Sequence, residues 1–233
     1  MWLFLLLCVT PPDTVKILDR MRENLRYETS QFTAQIEIKK GKRVLTKSFT
    51  GFSRGNDFYI EFTNPEDKGV KYLRLKKDLY IYLPDIDDVV RMSGDMLKQS
   101  FMGSDLSYED LMQEDPLKYY KVTSLSDTII EGSTYTILEL LDTTATAPYY
   151  RVRMIVDVDR YIWLKEELYT KSGRKIKELE ALNYRKIKGK LYPVETIIRD
   201  LRIKDSYTKF ILKDVDFEIA VPANLFRIES LKR

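Results

Sequence analysis

The sequence predicts a mainly β fold of the α+β kind: an antiparallel meander of eleven or twelve strands, with helices covering its open mouth. Three observations predict it. Alternation of apolar and polar residues with period two recurs from residue 32 to residue 219, punctuated by tight turns. One amphipathic helical stretch precedes the strands, and an irregular segment rich in Met interrupts them midway. A sheet of that size coils under its own right-handed twist, and a wide barrel is not filled by its own side chains, so a cavity is expected.

Residues 13–27 read as a helix. Val15, Leu18, Met21 and Leu25, with Ile17 beside them, share a face opposite Lys16, Asp19, Arg20, Arg22 and Glu23. Asp13 or Thr14 suits the N-cap. Phe32, Ala34, Ile36 and Ile38 then alternate with Thr33, Gln35, Glu37 and Lys39, and Lys40-Gly41-Lys42 turns the chain. Strands follow at 44–52, 58–62, 70–75 and 79–83. In the middle segment, 93–111, Met92, Met96, Met102 and Met112 accompany Phe101, Gly94, Gly103 and a short helical stretch at 107–112. Met fills irregular core gaps, and it also makes an adaptable wall against a variable apolar ligand. The β pattern resumes at 119–126, 135–141, 150–157, 161–170, 175–187, 191–203 and 207–219, and 222–226 closes the chain. No composition break, linker or low-complexity segment divides 13–233, which reads as one domain.

The N-terminal residues read as an address. Trp2 to Val9 are eight consecutive apolar residues followed by Thr10-Pro11-Pro12, too short to span a bilayer and right for the apolar region of a secretory signal. Residues 1–12 are therefore expected to be a signal peptide or its remnant, and the chain exported to a periplasm. A buried N-terminal strand is the alternative. Leu7 stands before Cys8, where bacterial lipidation wants a small side chain, which argues against an anchor at Cys8.

Composition removes many functions. The 233 residues carry 39 basic and 36 acidic side chains, a net charge of +3 with no basic run, which disfavours nucleic acid. There is no histidine, which excludes Ser-His-Asp, Cys-His and HExxH chemistry, and a single cysteine excludes disulfides within the chain and Cys-rich zinc sites. No Gly-rich phosphate loop follows a strand. Asp85, Asp87 and Asp88 lack the spacing of a calcium loop and read as a solvated turn. Glu166, Glu167, Glu178 and Glu180, flanked by Lys165, Lys175 and Lys177, read as cross-strand ion pairs on a wet face. A glycosidase-like carboxylate pair is the alternative reading of the same residues. No enzyme, cofactor or metal is expected.

Tyr80-Ile81-Tyr82-Leu83-Pro84, followed by the run Ser100-Phe101-Met102-Gly103-Ser104-Asp105-Leu106-Ser107-Tyr108-Glu109-Asp110-Leu111, resembles the outer membrane lipoprotein-sorting proteins of the LolA/LolB-like superfamily. Gly132 with Tyr135 and Leu138, Val156-Asp157, Tyr169 through Arg174, and Leu225-Phe226 agree, so the resemblance runs from about residue 15 to the end. It implies an incompletely closed antiparallel barrel with helices over the opening, carrying acyl chains in its cavity. The sequence departs from the family after Leu83-Pro84, where acidic residues stand before the lone Arg91 in place of a basic segment.

The expected function is that of a periplasmic, monomeric carrier that binds acyl chains of lipoproteins or other lipids for transfer towards the outer membrane. Its partners would be an inner-membrane transporter as donor and an outer-membrane acceptor. The alternative is an accessory subunit presenting hydrophobic cargo to an RND- or MMPL-like membrane exporter. Alternation and the Met-rich segment nominate Phe32, Ile36, Phe58, Ile60, Phe62, Met96, Phe101, Met102 and Leu138 as the cavity wall.

Overall fold

A computed structural model describes residues 11–112 and 115–232, so the expected signal at 1–12 lies almost wholly outside the described residues. Helix α1 (Pro11–Leu25) starts two residues earlier than the pattern suggests. Proline is well tolerated in the first turn, where its missing N–H would have no partner. The buried stripe of α1 is Thr14, Leu18 and Met21, whereas Val15 and Leu25 remain exposed. This narrow stripe, spaced i, i+4, i+7, suits a helix lying across a sheet rather than packed within a bundle.

Among the described residues thirteen strands form one sheet, one more than expected: β1 (Thr29–Lys40), β2 (Arg43–Arg54), β3 (Asp57–Phe62), β4 (Lys71–Leu75), β5 (Asp78–Leu83), β6 (Asp88–Met92), β7 (Tyr120–Ile130), β8 (Ser133–Asp142), β9 (Arg151–Asp157), β10 (Ile162–Tyr169), β11 (Lys175–Ile187), β12 (Lys190–Asp200) and β13 (Ser206–Phe217). The addition is β6, whose five residues begin within the acidic turn and pair antiparallel with β5. Its brevity and its charged start hide its alternation.

The spatial order is β6-β5-β4-β3-β2-β1-β13-β12-β11-β10-β9-β8-β7. Each hairpin neighbour in sequence is a neighbour in space, and β1 pairs with β13 to join the two halves. The edges β6 and β7 are not paired with each other, so the barrel stays open. Residues 93–112 and 115–119, between those two edges in sequence, form a strap over the sheet. The acidic turn at 85–88 is exposed, as its composition predicts.

Two separate apolar clusters lie under the covers. One gathers Ile36, Phe49, Phe62, Tyr72, Leu79 and Phe101 between β1–β6, β13 and the strap. The other packs Leu18 and Met21 of α1 on Leu138, Leu140, Met154 and Leu168 of β8–β10. A third, on Tyr59 and Leu73 at the opposite parity, is covered by Phe226 and Leu231 of the C-terminal tail. Strand β4 is thereby buried on both faces.

The strap is held by two buried carboxylates. Asp105 accepts hydrogen bonds from Ser206 Oγ (2.9 Å), Thr208 Oγ1 (2.9 Å) and the Asp200 backbone N–H (3.1 Å), while its own N–H donates to Thr208 Oγ1. Asp110 closes a capping box with Ser107 at the start of the short helix α2 (Tyr108–Leu111). It also accepts from the Tyr149 hydroxyl at 2.5 Å and pairs with the ammonium of Lys177 on β11. The Lys177 and Asp110 side chains are only 3% and 8% exposed. Lys177 is thus an interior anchor, contrary to its expected place in a wet ion-pair array.

Removing one member of a buried pair strands the other charge. Asp110→Ala is expected to cost about 3–5 kcal/mol, and adding Lys177→Met to recover most of that loss, both read by urea denaturation.

Candidate functional site

The larger apolar cavity has a volume of about 310 Å³ and lies between the sheet and the strap. Strands β1, β2 and β3 give it Phe32, Ile36, Phe49, Phe58 and Ile60; β13 gives Phe210, Leu212, Val215 and Phe217; the strap gives Phe101, Leu106 and Leu111. The polar side chains on its wall are Ser30, Ser53 and Tyr192. The two serine hydroxyls bond to each other at 2.6 Å, and burial raises the Tyr192 phenol, which stays protonated. No charged side chain lines it, so the cavity favours an uncharged apolar occupant.

One glycine shapes the wall. Phe32 faces Gly51 across the β1–β2 ladder, and a Cβ on Gly51 would stand 2.5 Å from Phe32 Cζ and 2.8 Å from the Tyr59 carbonyl oxygen. Only a residue without a side chain lets the ring lie over the neighbouring strand. Phe32 then meets Phe49 edge-on, with ring centroids 6.4 Å apart. Tyr27 stacks on Phe217 at 3.6 Å, and Tyr192 meets the same ring at 5.1 Å.

Of the nine nominated residues, Phe32, Ile36, Phe58, Ile60 and Phe101 line this cavity. Phe62 is fully buried behind it, against Phe49, Tyr72 and Phe101. Met96 and Met102 pack on the same cluster without lining the space, and Met102 accepts the Tyr72 hydroxyl proton. Leu138 sits in the other cluster, beneath α1. The β13 wall was missed because β13 stands beside β1 through a pairing of the first and last strands, which no local pattern reveals. Its own alternation at Phe210 and Leu212 was the available signal.

The carboxylates of β10 separate by parity. Glu167 points to the charged face, where Lys175 (3.0 Å), Arg153 (3.0 Å) and the Tyr169 hydroxyl (2.9 Å) donate to it. Burial alone would raise its pKa, but these donors outweigh burial and hold it down at about 2. Glu178 joins the same array through Lys175 and Lys165. These pairs agree with the cross-strand reading. Glu166 does not. It lines a second chamber of about 230 Å³ under α1, and burial pushes its carboxyl up to about 7. Its spacing of two from the apolar Leu168, which lines the same chamber, was the overlooked signal. Among the described residues, no group of three or more His, Cys, Asp or Glu side chains is arranged to hold a metal ion.

An open antiparallel sheet with a strap across its concave mouth defines the LolA-like fold. A family model described as "-like: Uncharacterized protein" matches residues 54–233, and the chain belongs to that family. Three crystal structures share the fold over nearly the whole chain. A DUF1329 family protein from Desulfovibrio piger is 27% identical, with 95% of this chain and 98% of that one covered at a TM-score of 0.86. An outer membrane lipoprotein-sorting protein domain from Vibrio parahaemolyticus is 22% identical, covering 96% and 100%, at a TM-score of 0.84. A LolA superfamily protein from Nitrosomonas europaea is 21% identical, covering 96% and 100%, at 0.77. No curated protein matches the sequence. The resemblance seen in the sequence is thus borne out, and so is the open-barrel fold class.

Two predictions follow from the geometry. Gly51→Ala is expected to destabilise the protein by about 1–3 kcal/mol in urea, because the Phe32 ring has to leave its seat. Glu166→Gln tests the second chamber through pH. The unfolded carboxyl ionises near 4.5 and the folded one near 7, so the wild type loses stability as pH rises between those values and is level above them. The glutamine variant lacks that slope. Its advantage is expected to open from about pH 4.5 and reach about 3 kcal/mol at most above pH 7. Parallel stability profiles for the two proteins would contradict the placement of Glu166.

Proposed function

We propose that the protein is a non-enzymatic, exported carrier that holds an acyl chain of a lipoprotein or other lipid in the cavity beneath the strap and delivers it towards the outer membrane. The observation that carries this reading is the uncharged, aromatic and aliphatic wall of a cavity of about 310 Å³. Each methylene moved from water into such a wall gains about 0.8 kcal/mol. The volume lies at the small end of ligand pockets, so the cavity as formed suits a single chain, with the polar head left at the surface.

The fold supports the same reading, since the similar Vibrio parahaemolyticus structure is described as an outer membrane lipoprotein-sorting protein domain. Among the described residues no helix is long and apolar enough to cross a membrane. A carrier of this kind works between a donor in the inner membrane and an acceptor in the outer membrane. Its strap is the element that would move during hand-over, because it forms one wall of the cavity and joins the two unpaired sheet edges. The nine residues nominated from the sequence are proposed as the binding region, with Phe32, Ile36, Phe58, Ile60 and Phe101 in direct contact with the chain.

The test is uptake of a fluorescent fatty acid, with native mass spectrometry to count it. The wild type is expected to bind one equivalent. Phe58→Asp places a charge on the wall and is expected to abolish uptake while leaving the β-sheet circular dichroism unchanged. An intact wild type that takes up no fatty acid, or a folded Phe58→Asp variant that binds normally, would overturn the assignment.

A further inference from the structure

The chamber under α1 shares no lining residue with the larger cavity. Leu18 and Met21 of α1 roof it, and Leu140, Met154 and Leu168 form its floor. Into this apolar space β10 presents one carboxyl group, that of Glu166. Among the described residues that carboxyl has neither a hydrogen-bond donor nor an ion-pair partner. The two phenols that feel its charge, Tyr120 and Tyr184, give their protons to the backbone carbonyls of Tyr149 and Trp163. Arg22 also borders the chamber, but its guanidinium is taken by Asp19 at 2.8 Å and by Asp115.

Glu166 is half-buried, and a carboxylate set among apolar side chains is normally paired. Glu167, the next residue, has three donors, while Glu166 has a cavity. We propose that the chamber under α1 binds a compact apolar amine, with the Glu166 carboxylate as the counter-ion of its ammonium group. Charge selects the class: an anion would face an uncompensated carboxylate, and a neutral hydrocarbon would leave that carboxylate unpartnered. Size selects the shape. An apolar cavity of about 150 Å³ holds a benzene ring, so about 230 Å³ accommodates an aromatic ring with a short aminoalkyl arm. The raised pKa of Glu166 agrees, because desolvation by its apolar surroundings is the cause and no donor or cation offsets it. This site does not depend on the carrier reading of the larger cavity.

The test is calorimetric titration of the full chain with 2-phenylethylamine at about pH 8, where Glu166 is ionised and the amine still cationic. Matched titrations use 2-phenylethanol and 3-phenylpropionate. The amine is expected to bind at least about tenfold tighter than the alcohol, the margin that a charge-assisted bond supplies, and the carboxylate probe not to bind. Glu166→Gln is expected to erase the preference for the amine, and Phe58→Asp to leave it intact. Equal affinity for amine and alcohol would overturn the proposal, as would a preference that survives Glu166→Gln. So would loss of amine binding in Phe58→Asp, or a wild type that binds none of the three probes.

Discussion

Asp105 and Asp110 hold the strap, and the strap makes the cavity. Without it the concave face of β1–β3 and β13 would be an open apolar trough. Asp105 binds it to the β12–β13 turn through two hydroxyls and one backbone N–H. Asp110 binds it to β11 through Lys177 and to the segment before β9 through Tyr149. Both carboxylates are shielded from water, so each hydrogen bond counts for more than on a surface, and each loss costs more. The four residues between them keep both anchors in register, which fixes Phe101 and Leu106 over the cavity.

The concave side is divided by charge as well as by packing. The larger cavity presents no ionisable group apart from a protonated phenol, whereas the chamber under α1 presents a carboxyl with no partner among the described residues. The two adjacent glutamates of β10 display the cause. A one-residue step along a strand reverses the side-chain direction, and so moves the pKa from about 2 at Glu167 to about 7 at Glu166. One sheet can therefore present two chambers of different polarity.

Much of this was legible from the chain. Alternation located twelve of the thirteen strands, and the absence of histidine removed whole families of chemistry before any coordinate was known. Phe58 and Ile60 were nominated from parity alone and do line the cavity. What escaped is nonlocal. The pairing of β1 with β13 is set by the closure of the entire sheet, so Phe210 and Leu212 could not be assigned to the same wall as Ile36. The run from Ser100 to Leu111 was recognisable as a motif, yet the roles of Asp105 and Asp110 depend on partners 103 and 67 positions away in sequence, at Thr208 and Lys177 respectively. Lys177 was assigned to the wet face because its neighbours belong there. The bulge between Leu168 and Tyr169 in the β10–β11 ladder shows how far simple alternation holds beside such sites.

The seam between β1 and β13 also governs how the molecule can be made. Ser30 lies opposite Phe217, so the middle of the sheet joins the first of the described strands to the last. Until the final strand emerges, β1 and β12 are both bare edges, each able to recruit a neighbouring chain. Such distant closure is entropically costly and slow. The sheet therefore cannot mature progressively on the ribosome: its two halves wait for the C-terminus, and a chain truncated before β13 is left as two aggregation-prone half-sheets.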